Sequence, residues 1–164
     1  MDGSVDFDRN WTEYSDGFGT LDTEFYLGNQ ALHEISGDRN FELRIELTDQ
    51  LGEYRYAKYS QFSVDSPETL YKLTITGYTG NASDSLGPHS GFKFSTYDMD
   101  NDAYEGFNCA SFGQSGWWYV SCGLSNLNGL YGIVGYQGLT WYYWNNTFSH
   151  VMSSTRMMMR LKEH

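Results

Sequence analysis

Residues Asp98 to Cys122, DMDNDAYEGFNCASFGQSGWWYVSC, restrict the fold more than any other part of the chain. Four acids, Asp98, Asp100, Asp102 and Glu105, fall within eight residues without a base among them, and Gly106 follows. The only two cysteines, Cys109 and Cys122, then bracket the Trp117-Trp118 pair. Like charges at this density repel one another, so the segment needs a counter-charge before it can close into a compact loop. Oxygen donors, a candidate clip and an aromatic wall lie together. This combination reads as a metal-organised binding site in a secreted protein, not as a catalytic centre.

Two cysteines this close could form a disulfide, act as a redox pair or stay as free thiols. Twelve residues between them fit neither a CxxC redox motif nor a four-ligand zinc site. A structural disulfide is the favoured reading, and it implies an oxidising compartment. Three N-x-S/T sequons, at Asn10, Asn81 and Asn145, are compatible with secretion and possible glycosylation.

At 164 residues the chain suits a single domain with a real core. Its hydrophobic fraction of 40% argues against disorder, and 18% aromatic content with 18 glycines describes a loop-rich, aromatic-packed globule. A formal net charge of −11 disfavours nucleic acid and anionic membranes as partners and makes divalent cations the natural counter-charge. No run approaches the roughly 18 apolar residues of a membrane span. Met1-Asp-Gly-Ser lacks the basic start and apolar middle of a signal peptide, so any export signal is expected upstream.

Helical spacing and caps predict two short helices, Trp11 to Ser15 behind Asn10 and Leu27 to Ile35 before Gly37. Phe41 to Leu47, Tyr54 to Phe62 and Tyr71 to Thr76 read as strands of an antiparallel meander with one buried face. From Gly77 to about Ser153 periodicity fades, although the segment holds every tryptophan but Trp11. So long an irregular stretch is functional or is held by something other than secondary structure. The tail, Thr155 to Lys162, alternates again and is expected to return to the sheet as a strand.

Ordered blocks run almost end to end and carry a resemblance. They include Trp11-Thr-Glu-Tyr-Ser-Asp-Gly-Phe-Gly19, Glu24-Phe-Tyr-Leu-Gly-Asn29, Tyr56-Ala-Lys-Tyr-Ser-Gln-Phe62, Phe94-Ser-Thr96, Asp98 to Asp102, Trp117-Trp-Tyr119 and Ser125-Asn-Leu-Asn-Gly-Leu-Tyr131. On these the chain resembles the fibrinogen C-terminal globular domain of ficolins, tachylectins, angiopoietins and tenascins. The resemblance implies an α+β fold: a central antiparallel sheet with short helices, about 1–80 and 154–164, and a loop-rich calcium- and ligand-binding subdomain, about 81–153. A small N-terminal subdomain with its own disulfide is expected upstream of the Met1-Asp-Gly-Ser block.

The same resemblance implies a calcium ion, Ca2+, held by the carboxylates of Asp100 and Asp102 and the carbonyls of Tyr104 and Gly106. Phe107 looks like an extra residue beside that last carbonyl, and Asp98 and Glu105 are expected outside the ligand set. It is not an EF-hand: counting from Asp98, Ala103 stands at position six and Cys109 at position twelve. In the acetyl-binding members a histidine follows the second cysteine, and here that residue is Gly123. The implied ligand pocket comprises Phe112, Tyr119, Ser121, Cys122, Gly123 and Tyr136, with a cis peptide entering Cys122 and Tyr119 reaching the rim. The glycine opens the pocket to a larger group or marks a site that lost its ligand.

No catalytic constellation stands out. His33, His89, His150 and His164 form no metal-binding pair, and Gly113-Gln-Ser115-Gly116 lacks the spacing of a nucleophile elbow. The chain is therefore expected to be a secreted, calcium-dependent recognition domain, not an enzyme. The first functional expectation is a lectin for carbohydrate or acetylated groups on microbial or host surfaces, a pattern-recognition role in innate immunity. The second is a protein-binding adhesion or receptor module of the angiopoietin or tenascin type. Oligomerisation, where it occurs, is expected through upstream segments.

Overall fold

The computed structural model describes residues 3–37 and 40–162. Met1, Asp2 and His164, used in the sequence analysis, lie outside the described residues. In chain order the elements are α1 (Trp11–Asp16), β1 (Phe18–Gly19), β2 (Phe25–Tyr26), α2 (Asn29–Ser36), β3 (Phe41–Asp49), β4 (Tyr54–Val64), β5 (Leu73–Gly80), α3 (Cys109–Gly113), β6 (Ser125–Asn126), β7 (Thr140–Trp141) and β8 (Met152–Leu161).

Asn10 starts α1 because its side chain accepts from the Glu13 amide while Glu13 reaches back to the Asn10 amide, a complete capping box. The Trp11 amide has no partner within the helix, and Asp98 supplies one at 2.9 Å from 87 residues away. Asp98 is thereby committed to joining the helix to the acidic loop.

The strict alternation of β3 puts Leu43, Ile45 and Leu47 on one face, each almost fully buried. The sheet order is β5-β4-β3-β8, all antiparallel, so the tail returns beside β3 as expected and forms one edge. The register of β3 on β4 shifts between Phe41 and Leu43, leaving one extra residue on β4. That bulge lets Tyr59 and Phe62, three apart, both face the core, which strict alternation forbids. Each such apolar side chain contributes about 1.5–3 kcal/mol by burial.

The long segment after β5 contains little regular structure, yet it supplies Trp117, Trp118, Trp141 and Trp144, all buried. Its ordering comes from side chains on backbone: the Trp118 indole donates to the Tyr71 carbonyl and the Trp141 indole to the Ala82 carbonyl. No described helix is long and apolar enough to cross a membrane.

Candidate metal and ligand site

The acidic loop is built around Asp102. One of its carboxylate oxygens accepts from the Tyr104 amide at 2.7 Å and the other from the Cys109 amide at 2.8 Å. These bonds span the loop and deliver the chain into α3, whose first residue is Cys109. Asn108 caps that single turn through the Ser111 amide. Cys109 is bonded to Cys122 across 13 positions, so loop, helix and following turn share one covalent clip.

Asp100 lies alongside, its carboxylate accepting from the Asp102 amide at 3.3 Å. Partial burial raises the Asp102 pKa, and the neighbouring Asp100 charge adds to the rise against the two backbone hydrogen bonds. Neither aspartate takes part in an ion pair among the described residues. Each Asp102 oxygen accepts one backbone hydrogen bond, and a carboxylate has about four acceptor sites in all. Among the described residues no group of three or more His, Cys, Asp or Glu side chains is placed to hold a metal ion by side chains alone. A cation here would complete its shell with carbonyls and water, which suits a hard ion such as calcium and not zinc. Tyr104 and Gly106 stand in the turn beside Asp102. The Tyr104 carbonyl accepts from the Phe107 amide at 3.1 Å, and Gly106 has the positive φ, 75°, that closes the turn. Glu105 is exposed.

From this loop a chain of aromatic contacts crosses the surface. Tyr104 meets Phe107 at 5.1 Å between ring centroids, Phe107 meets Phe112 at 5.5 Å, and Phe112 stacks on Tyr136 at 5.3 Å. Tyr136 continues to Phe148 at 5.4 Å, and Phe148 to Tyr142 at 4.7 Å. Tyr104, Phe107 and Phe112 are exposed, and the Tyr136 hydroxyl is buried without a hydrogen-bond partner. Phe148 was not singled out by sequence and Phe107 was noted only as an extra residue beside the Gly106 carbonyl; both join the ladder through the folded path of two loops.

The neighbourhood of Gly123 does not fit the wider pocket, one of the two expectations for this glycine. A Cβ at this position would lie 2.2 Å from Cε1 of His89, so the imidazole fills the space beside the glycine. His89 is fully buried. Its Nδ1 bonds the Trp118 carbonyl at 2.8 Å, while Nε2 accepts from the Leu124 amide at 3.1 Å and the Ser125 amide at 3.3 Å. Burial drives its pKa down to about 4, which keeps Nε2 an acceptor. The glycine is therefore the space that a histidine from another segment requires. It does not widen a pocket.

Two further expectations are corrected. Tyr119 does not reach the rim: it is fully buried, with its hydroxyl 2.9 Å from Ser115 Oγ, and Gly113 is needed because a Cβ there would lie 2.5 Å from that hydroxyl. The Ser121–Cys122 bond is trans, as are all described peptide bonds. The chain reverses there through left-handed backbone at Cys122, φ 64°, and a hydrogen bond from the Val120 amide to the Cys122 carbonyl. Ser121 is exposed and Cys122 half-buried. Phe112 is exposed and stacks on the half-buried Tyr136, whereas Tyr119 and Ser115 are fully packed in the interior.

Ser115 itself is buried and bonded to Tyr119 and Asn126. Of the sequons, Asn81 and Asn145 are exposed. The Asn81 side chain accepts from the Tyr56 amide, and Asn145 contacts His150. Asn10 is occupied as the cap of α1.

Comparison with known proteins bears on the fold and the family. A fibrinogen-like protein A of Apostichopus parvimensis is 46% identical over 148 residues, covering 88% of this chain and 51% of that protein. The chain spans about half or less of the length of the curated relatives it matches. The fibrinogen-like globe domain of human ANGPTL2 superposes with a TM-score of 0.93 at 36% identity, covering 98% of this chain and 76% of that one. A lamprey fibrin D-dimer, complexed with the peptide Gly-His-Arg-Pro-amide, gives a TM-score of 0.87 at 34% identity, covering 99% and 61%. The profile of fibrinogen beta and gamma chains, C-terminal globular domain, matches residues 1–162, and the chain belongs to that family.

Proposed function

We propose that this chain is the calcium-dependent recognition domain of a secreted protein, and that it engages a protein partner through the aromatic face beside the acidic loop. The carrying observation is Asp100 and Asp102 held together without a basic partner, at the head of the ladder from Tyr104 to Phe148. The carboxylates of Asp100 and Asp102 and the carbonyls of Tyr104 and Gly106 would hold the ion. When bound, calcium supplies the positive charge that offsets the repulsion between the two carboxylates. Asp102 then keeps its grip on the Tyr104 and Cys109 amides, and the turn presents Tyr104 and Phe107 in one fixed pose. The disulfide supports an extracellular location.

A protein partner is favoured over an acetylated sugar because His89 occupies the space beside Gly123. The peptide bound to the lamprey relative supports the same preference. Exposed aromatic rings are frequent anchors of protein interfaces. The second reading, a lectin for carbohydrate or acetylated surfaces in innate immunity, rests on Phe112 and Tyr136 as a stacked platform that a sugar ring could cover.

Binding to a panel of displayed extracellular proteins and to an array of unsulfated glycans, each with calcium and with EDTA, separates the readings. The protein reading expects calcium-dependent binding to a panel protein, lost in Phe112→Ala, with a blank glycan array. Calcium-dependent glycan binding without a protein hit would replace it with the lectin, and binding undiminished in EDTA would reject both.

A further inference from the structure

The chain carries ten Lys and Arg against 21 Asp and Glu, yet its charges are not mixed evenly. Side chains pointing away from the core on β3, β4 and β8 include Arg44, Lys58, Arg156 and Arg160, and Lys162 continues the alternation one step beyond β8. Half of all the bases thus share one sheet face. The only acids on that face of the four strands are Glu42 and Glu46. The remaining strand acid, Asp49, is buried and paired with His150. Five bases against two acids leave a local surplus of three positive charges on a strongly acidic molecule.

Both acids are already engaged. Glu42 pairs with Lys58 at 3.0 Å and with Arg160, and Glu46 pairs with Arg44 at 3.0 Å and accepts from the Tyr54 hydroxyl. Arg44 lies directly opposite Lys58 in the register, a like-charge juxtaposition that costs stability unless something compensates it. Arg156 and Arg160 are exposed, and Lys162 has no carboxylate partner among the described residues. Arg44 and Lys58 are half-buried within the sheet face.

We infer that this outer sheet face docks a linear sulfated polysaccharide. Charge complementarity selects a polyanion, since the rest of the chain is acidic. The backbone of β3 and β4 is paired on both sides, so Arg44 and Lys58 can meet a ligand only through their side chains, while β8, which carries Arg156 and Arg160, forms an edge of the sheet. Neighbouring bases stand about 5–7 Å apart across and along strands, which suits a ligand with closely repeated oxyanions. The disulfide points to a compartment where sulfated glycans, and not nucleic acids, are the available polyanions. This face is separate from the acidic loop and needs no metal.

Chromatography on immobilised heparin tests the inference. The chain should be retained at about 0.15 M salt and released by higher salt, as a charge-driven contact requires. Retention should vanish on desulfated heparin and survive both EDTA and Asp100→Asn with Asp102→Asn, so that failure here is distinct from failure of the calcium site. Arg156→Ser with Arg160→Ser and Lys162→Ser should weaken binding at least about tenfold. The single exposed change Arg156→Glu, checked by an unaltered melting temperature, should also weaken it, and Lys93→Ser should not. Flow-through of the unaltered chain, equal retention on a plain sulfonate exchanger, or unchanged elution of the triple variant would overturn the proposal. So would a self-association lost in that variant without any heparin retention.

Discussion

His89 and Gly123 decide what the site can be. Neither is legible as a partner of the other from sequence, because 34 positions separate them and no local pattern links a buried histidine to a distant glycine. The sequence does show that Gly123 lacks a side chain; only the fold shows that His89 uses the space. Substituting Gly123→His, which restores the residue of the acetyl-binding relatives, should therefore destabilise the protein by about 1–3 kcal/mol and confer no N-acetylglucosamine binding. Chemical denaturation and a sugar titration check both halves. His89 also predicts a pH dependence. Its folded pKa of about 4 lies below the ordinary value of 6.5, so the unfolded chain takes up a proton first on acidification. Stability is full above about pH 6.5 and is lost as the pH falls towards 4, by about 3 kcal/mol in total. Asp84, the charged group acting on His89, moderates the loss by favouring the proton. Denaturant midpoints from pH 7 to 4.5 should fall in the native chain, and this slope should flatten in His89→Gln.

At the scale of elements, periodicity carried most of the fold. The alternation of Phe41 to Leu47 and of the methionine-rich tail specified β3 and β8, because one buried face makes register costly to slip. Asn10 specified the start of α1 as its cap, and the structure adds Glu13 as the second half of the capping box. The first positions of β5 and α2 shift by two residues from expectation, since Leu73 and Asn29 are fixed by packing on neighbouring segments and not by their own pattern. The turn α3 had no periodic signal at all: five residues cannot show one, and its stability comes from Asn108, Asp102 and the Cys109–Cys122 bond. Replacing both cysteines by alanine frees a loop of 13 positions and should cost about 3 kcal/mol in the chain-entropy account. Urea denaturation measures this, and calcium affinity should fall in the same variant because α3 anchors one end of the acidic loop.

At the scale of the whole molecule the charges are sorted: a surplus of bases on the outer sheet face, and elsewhere an acidic loop whose Asp100 and Asp102 have no basic partner among the described residues. A chain of net charge −11 gains most from a divalent cation where two carboxylates are already held together by the backbone. The acidic run, the cysteine pair and the tryptophans were visible in the sequence; the aromatic ladder was not, since it joins Phe107, Phe112, Tyr136 and Phe148 from loops with no pattern in common. The most direct measurement is a calcium titration followed by thermal melting and calorimetry, on the native chain and on Asp100→Asn with Asp102→Asn. The native chain should bind one calcium ion and melt at a higher temperature as the site saturates, by the ordinary linkage of ligand binding to folding. The variant should fold, bind no calcium at that site and show no such rise. A native melting temperature indifferent to calcium, or a variant that responds as the native chain does, would contradict the account.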